Sequence, residues 1–352
     1  MTEVSLSRRG MMGALVAGAA VGTVDLGLPQ AAFAQSGART GFNASRIDTA
    51  IQAAHAQYKA LTEGKNADYI PALAEVPSTY FGIAAVGADG KAHEVGDSRQ
   101  LFSIQSICKV FTAALVMQQS GHEKLEETVG VDATGQVFNS ITAIEQYRGK
   151  EMNPFVNPGA IATVGNVKGS SPDDVWNKIL QFHSDFAGRQ LDVNQPVYKS
   201  EAETNQRNRA ISHLMSAYER FPMDPAVAVD LYTRACSINV SARDLAVMGA
   251  TLAFGGRNPV TGKQVMEARY VPGVLALMAT AGMYDDSGKW LYDTGLPTKS
   301  GVGGGLVGAA PGMFGIGTFA PPLDAAGNSV RGQRAITDIV RQLNANPYAQ
   351  FG

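Results

Sequence analysis

Cysteine is nearly missing from this 352-residue chain, which has two, Cys108 and Cys236. They cannot build a zinc-type Cys/His spacing. Both sit in apolar segments and are expected as buried small hydrophobes, although an exported protein is free to oxidise such a pair. Histidine is scarce as well. The five, His55, His93, His122, His183 and His213, are scattered, and no two stand at metal-ligand spacing. An excess of charge is also lacking: charged residues make up 17% and the net charge is −2. That argues against a general nucleic-acid or membrane-surface role. There is no repeat period, no long charge run and no low-complexity tract. Beyond the first 34 residues, no apolar run reaches the roughly 20 residues needed to span a bilayer.

Apolar residues are plentiful, at 45%, and 39 glycines crowd toward the C-terminus. The length fits one large domain or two modest ones. Residues 1–34 read as an export leader rather than fold. Arg8 and Arg9 form a basic n-region, a Gly/Ala-rich apolar stretch follows, and Ala32-Phe33-Ala34 is a small-x-small cleavage pattern. Adjacent arginines after Ser7 resemble a twin-arginine signal. The mature protein is therefore expected to be exported, periplasmic or secreted, with no stable membrane insertion after cleavage.

Apolar positions Ile47, Ile51, Ala54 and Tyr58 recur at helical spacing over 46–61. Phe81 to Val86 and Lys91 to Gly96 read as a hairpin turning at Asp89-Gly90. From about 121 to 234 helical patterns dominate: Asp173 to Ala187, Glu201 to Tyr218, Pro225 to Thr233. A helix over Ser241 to Phe254 follows. Three apolar or Gly-rich runs come next, Gly301 to Ala309, Met313 to Ala320 and the flanks of Ser329, and then a closing helix over Gly332 to Asn344. Strands at both ends with helices between predict an α+β fold. Its central antiparallel sheet comes from both termini and is flanked by helices, with an all-helical subdomain inserted. The expected catalytic unit is 35–352. Its α/β subdomain takes about 45–120 and 235–352, and its helical subdomain about 121–234.

Within "FSIQSICKVF" a hydroxyl at Ser106 is followed three residues later by an ammonium at Lys109. On a helix these positions share a face and would touch. A serine hydroxyl needs a base to become a nucleophile. Lys109 is enclosed in sequence by Val110, Phe111, Leu115 and Met117. Poor solvation disfavours its charged form, so its amine becomes a usable base. The backbone N–H of Ser106, at a helix start, is free to bond a developing oxyanion. S-x-x-K alone arises by chance about once in a chain this long. A second element accompanies it: Lys299-Ser300-Gly301 opens a Gly-rich run expected as an innermost strand. S-x-x-K with a downstream K-[ST]-G is the pairing of serine β-lactamases and penicillin-binding proteins.

From about 67 to 330 the chain resembles one branch of that fold, the serine-dependent glutaminases, bacterial and kidney-type. The motifs that carry the likeness are "ADYIPALA", "FSIQSICKVF", "NPFVNPGAI", "SEAETNQRNRAI", "DLYTRACSI", "GMYD", "GLPTKSGVGGG" and "PPLDAAGNSVRG". The resemblance implies hydrolysis of the side-chain amide of L-glutamine to L-glutamate and ammonia. It places the nucleophile on Ser106 and the base on Lys109. It places substrate contacts on Asn157, Glu201, Asn208, Tyr232, Tyr284 and Val302, with Tyr69 a further tyrosine at the site. Residue chemistry agrees: Glu201 can meet the substrate ammonium, and Asn157, Asn208 and a tyrosine can meet its carboxylate. Glu201 and Asn208 are seven positions apart, two helical turns, so they are expected to share a face. The N–H of Val302 would complete the oxyanion hole with that of Ser106, and Tyr284 would carry a proton to the departing ammonia. Lys299, Ser300 and Gly301 are expected to support the site. No metal or organic cofactor is implied, and the resemblance suggests a homodimer or homotetramer. Two positions depart from the family pattern. Pro158 stands where Ala is common, stiffening the chain after Asn157, and Cys108 stands where many bacterial relatives have Ser.

Two other functions stay open on the residues. A β-lactamase or peptidoglycan DD-peptidase shares the motif pair, and Ser237-Ile238-Asn239 has the S-x-N form of those enzymes. The Glu201/Asn208 pattern belongs to glutaminases instead. A non-catalytic amino-acid-binding relative is the other alternative, against which the intact Ser106, Lys109 and Lys299-Ser300-Gly301 speak.

Overall fold

Three six-residue strands are buried along their whole length: β1 (Gly82–Gly87), β6 (Gly305–Ala310) and β7 (Phe314–Phe319). With helices on both faces they need no polar side, so apolar and glycine residues run through them without alternation. β2 (Ala92–Gly96) and β5 (Thr298–Gly301) complete a five-stranded sheet of order β2-β1-β7-β6-β5, antiparallel throughout. β3 (Phe102–Ser103) and β4 (Asn239–Val240) form a separate small pair. The computed structural model describes residues 44–150 and 152–349. The leader expected over 1–34 lies outside them. Among the described residues, no helix is long and apolar enough to cross a membrane.

The halves of the sheet come from the two ends of the chain and join where Ile83 pairs with Thr318 and Ala85 with Ile316. Alternation then sorts the side chains of β1. Ile83 and Ala85 join Ile47, Ile51, Ile336 and Ile339 of the Ala44–Tyr58 and Val330–Leu343 helices. Ala84 and Val86 meet Ala246 and Ala250 of the Ala242–Ala253 helix on the other face. That helix starts with a capping box between Ser241 and Asp244. It lies almost directly on the sheet backbone, which explains the crowd of C-terminal glycines. A Cβ on Gly315 would stand 1.9 Å from the backbone N of Ala250, and one on Gly317 would stand 2.1 Å from Ala242 O. Gly315→Ala is therefore expected to cost about 3 kcal/mol or more, because neither partner can rotate away. Urea denaturation should show it. Gly288→Ala, where an added Cβ meets nothing within 4 Å, is the control and should be neutral or stabilising by up to ~1 kcal/mol.

Helices fill the chain between β3 and β4. They include Asn157–Gly165, Pro172–Ala187, Gln195–Thr204, Gln206–Ala217 and Pro225–Cys236. Three expectations need correction here. The helix read over Glu201 to Tyr218 is broken at Asn205, whose amide turns inward to Thr233 Oγ1 (3.1 Å) and accepts from Arg209 Nε (2.7 Å). Those side-chain bonds replace a helical continuation. Ser329 lies in no strand; it caps the last helix, accepting from Gly332 N while donating to Ala320 O (2.7 Å). The Lys299-Ser300-Gly301 strand is an edge of the sheet, not its innermost member. It is fully buried all the same, because Ser300 N bonds Gly282 O (3.0 Å) and the chain around Gly282 covers its free side.

Candidate active site

Phe102 and Ser103 leave the small sheet and the chain tightens into a 3-10 turn, Gln105–Ile107, before the helix Cys108–Ser120 begins. Ser106 thus sits on the 3-10 turn and Lys109 in the first turn of the α-helix, not both inside one α-helix as expected. Gln105 enters this turn with a left-handed backbone, φ +51. Among the described residues, four other non-glycine residues share that conformation. Arg148, Glu219 and Asn344 stand at helix C-termini, and Tyr284 stands in the site. Such backbone costs an L-residue about 1–2 kcal/mol, and it gathers at functional sites.

The amine of Lys109, 2% exposed, donates to Phe155 O (3.2 Å) and Asn157 Oδ1 (2.8 Å). Desolvation pulls its pKa down to about 8, against weaker opposing pulls from Cys236, Cys108 and Glu201. The hydroxyl of Ser106 lies near the phenol of Tyr284 and favours its ionised form. No hydrogen bond joins Ser106 to Lys109, whose long chain extends to Phe155 and Asn157. Burial holds the Tyr284 phenol above its usual range, and it also reaches Ser300 O at 3.3 Å.

Asn157 opens the helix Asn157–Gly165, with Pro158 tolerated in its first turn. Its Oδ1 is taken by Lys109 and by the hydroxyl of Tyr232 (3.3 Å), so its Nδ2 is the donor to Asn208 Oδ1 (3.0 Å). Asn208 and Glu201 lie on different helices because of the break at Asn205. They still frame one site, since Asn208 meets Asn157 and Glu201 meets Gln105 Nε2 at 3.4 Å. Burial lifts the carboxyl of Glu201 to about 7, opposed by Gln105 and Lys109.

The β5–β6 turn carries Val302. It runs beside the segment that leads into Ser106: a Cβ on Gly301 would stand 2.7 Å from Ile104 O, and one on Gly303 would stand 2.7 Å from Ser103 O. These two glycines let two backbones approach closely. Lys299 is fully buried, donates to Ser300 O (2.7 Å) and stands 4.5 Å from the ring centre of Tyr284. Desolvation and the neighbouring Lys109 hold its pKa well below that of a free lysine. The hydroxyl of Ser300 is buried and without a hydrogen bond. Tyr69 is 57% exposed at the rim. Tyr284 and Glu201 are among the groups its hydroxyl senses, and desolvation raises its pKa.

Two hollows of about 500 and 550 Å³ flank this cluster. Phe155 and Tyr284 line one, Tyr69 and Val302 the other, and Phe138 lines both. The Phe138 ring stands 5.4 Å from that of Tyr284. Sequence reasoning missed Phe138, which lies in a stretch without periodicity, and Gln105, whose only signal is its place before Ser106. His183 packs under the same helix. It faces Ile179 O and Cys108 O, and burial pushes its pKa down to about 4, so it is no base for Ser106. Cys108 and Cys236 are buried free thiols 3.7 Å apart.

A family model described as Glutaminase matches residues 64–348. A glutaminase of Colwellia psychrerythraea is 48% identical over 300 residues, spanning 85% of this chain and 96% of that protein. Among solved structures, a probable glutaminase, ybaS, superimposes with TM-score 0.86 at 42% identity, over 87% of this chain and 99% of that one. A probable glutaminase from Bacillus subtilis complexed with 6-diazo-5-oxo-L-norleucine gives TM-score 0.74 at 26% identity, over 86% and 95%. A likeness this long, on a β-lactamase-like sheet with this cleft beside it, means that the chain belongs to the glutaminase family.

Proposed function

We propose that the chain hydrolyses the side-chain amide of L-glutamine to L-glutamate and ammonia through an acyl-enzyme on Ser106. Membership of the glutaminase family makes it an amide hydrolase. The observation that carries the finer reading is a buried lysine amine, its pKa near 8, one turn after a serine hydroxyl. A neutral amine has two N–H bonds and one lone pair. Phe155 O and Asn157 Oδ1 take the two donors, which leaves the lone pair for a proton from Ser106.

The steps balance as follows. Ser106 Oγ bonds to the substrate's Cδ while its proton passes to Lys109. The oxyanion is met by the N–H groups of Ser106 and Val302. The Cδ–N bond breaks as Tyr284, beside Ser106, delivers a proton to the leaving nitrogen, and ammonia departs. Tyr284 recovers its proton from Lys109. Water then attacks the ester, its proton goes to Lys109, and glutamate leaves as Ser106 is reprotonated. Glu201 meets the substrate ammonium; Asn157, Asn208 and Tyr232 meet its carboxylate; Tyr69 closes the rim. Lys299 holds Tyr284 from behind. The ligand named in the Bacillus subtilis structure has a carbonyl at carbon five, where glutamine carries its amide.

The test is ammonia and glutamate release from glutamine, with asparagine and nitrocefin alongside. Glutamine should be turned over with a kcat/KM at least about tenfold above that for asparagine, the scale one methylene allows. Equal values would refute glutamine selectivity. Nitrocefin colour without ammonia would install the β-lactamase alternative, and glutamine binding without turnover the non-catalytic one. The proposal includes export and a homodimer or homotetramer. The N-terminus of the exported protein should be Gln35, and light scattering reads the assembly.

A further inference from the structure

The residue before Ser106 joins three parts of the site: Ser103, Glu201 and the β5–β6 turn. Gln105 is 3% exposed and its backbone is left-handed, where a glutamine has no helix end to cap. Its Nε2 donates to Ser103 Oγ (3.2 Å) and reaches Glu201 Oε2 (3.4 Å). Its Cβ and Cγ lie along the β5–β6 turn: a Cβ on Gly301 would stand 3.4 Å from Gln105 Cβ, and one on Gly303 would stand 3.5 Å from Gln105 Cγ. One side chain therefore runs from the nucleophile's own backbone, past the turn that presents Val302, to the acid proposed to hold the substrate ammonium. A glutamine paired this way spends one N–H on Ser103 and the other on the acid, so its carboxamide has a fixed orientation.

We propose that Gln105 is a positioning residue for amide hydrolysis: its left-handed backbone turns Ser106 into the cleft, and its carboxamide aims the carboxylate of Glu201 at the substrate ammonium. The role deepens the reaction proposed above and rests on it. A left-handed residue opening the 3-10 turn redirects the chain between Ser103 and Ser106. The carboxamide donor favours the ionised form of Glu201, which burial disfavours. The other titratable groups that sense Glu201 are Lys109, Tyr69, Tyr232 and Cys236. None of them is a recorded hydrogen-bond partner of Gln105.

Three substitutions separate the two parts. Gln105→Gly keeps the left-handed backbone and removes the carboxamide. Gln105→Ala removes the carboxamide and resists the backbone as well. Gln105→Glu keeps the length and sets a second acid against Glu201. For glutamine hydrolysis, Gln105→Gly should raise KM about tenfold or more with kcat within about threefold, since it loses ground-state grip on the ammonium. The acid limb of its kcat/KM profile should move to higher pH. Gln105→Ala should add a fall in kcat, and Gln105→Glu should move the acid limb furthest. The backbone role is overturned if Gln105→Ala and Gln105→Gly share one kcat. The carboxamide role is overturned if KM and the acid limb of Gln105→Gly match wild type. Should Gln105→Gly fail to fold, an unmoved acid limb in Gln105→Glu overturns the carboxamide role by itself, and kcat of Gln105→Ala against Gln105→Asn, a residue that tolerates left-handed backbone, decides the other. A wild type that releases no ammonia from glutamine would sink the reaction itself, a different result from an active wild type indifferent to position 105.

Discussion

Ser106→Ala lowers kcat for glutamine by roughly 10⁴-fold or more, the scale seen when a catalytic serine is removed, and leaves glutamine binding nearly intact. The two halves of that expectation come from different contacts. The hydroxyl is the only group at position 106 able to form the ester. The side chains proposed to bind substrate are held by one another: Asn157 by Lys109 and Tyr232, Asn208 by Asn157, Glu201 by Gln105. None of those bonds involves the Ser106 side chain. Calorimetry on the variant should therefore give a Kd for glutamine within a few-fold of the wild-type KM, and the melting temperature should barely move. Wild-type protein treated with 6-diazo-5-oxo-L-norleucine should carry the added mass on the peptide containing Ser106. Residual kcat above about 1% in the alanine variant, or label on another residue, would show that a different nucleophile forms the ester and would end the acyl-enzyme mechanism.

The site was more legible in the sequence than the elements that carry it. Ser106, Lys109 and Lys299 announced themselves because a hydroxyl and two amines in apolar segments conflict with burial, and such conflicts are rare enough to be read. The sheet was legible for the opposite reason: β1, β6 and β7 are apolar and glycine runs, broken only by Thr318, between turn residues. Sequence period failed where tertiary contacts overrule it. The Glu201 to Tyr218 pattern is helical on both sides of Asn205, and only the reach of Asn205 to Thr233 (3.1 Å) breaks it. The edge position of β5 could not be seen, because cover from the chain around Gly282 makes it as buried as a central strand. Gln105 stayed hidden because its left-handed backbone is set by packing against the Gly301–Gly303 turn, and nothing in a glutamine's own preferences points there.

Lys109→Met should abolish activity and yet melt no lower than wild type at pH 7. Loss of the base leaves Ser106 with no acceptor for its proton, worth ~10³-fold or more in kcat. Stability moves the other way because the amine is desolvated. Its fall from 10.5 to about 8 converts, at ~1.36 kcal/mol per pH unit, to a folded-state penalty on the order of 3 kcal/mol for the protonated form. Methionine fills a similar straight volume without that charge. It gives up the donors to Phe155 O and Asn157 Oδ1, but Asn157 Oδ1 keeps the Tyr232 hydroxyl, so the loss is about 1–2 kcal/mol. The net gain is then about 1–2 kcal/mol, a few degrees in Tm. Lys109→Ala opens a cavity and should melt below both. The sign with pH is fixed. Below about 8 both states of the wild type hold the proton and the folded state bears the penalty. Between about 8 and 10.5 the unfolded chain holds more protons than the folded one, so wild-type stability rises with pH relative to Lys109→Met. Above 10.5 the penalty is gone. Taking the difference between the two proteins cancels the tyrosines and cysteines that titrate in the same range. Lys299 is relieved of its neighbour's charge in the variant, which adds to the gain below pH 8. A difference in Tm that stays flat from pH 7 to 10.5 would mean that the amine is as well solvated as a surface lysine, and such a lysine is neutral at pH 7 in only about one molecule in 3,000, against about one in ten for a pKa near 8, too few to take the proton of Ser106.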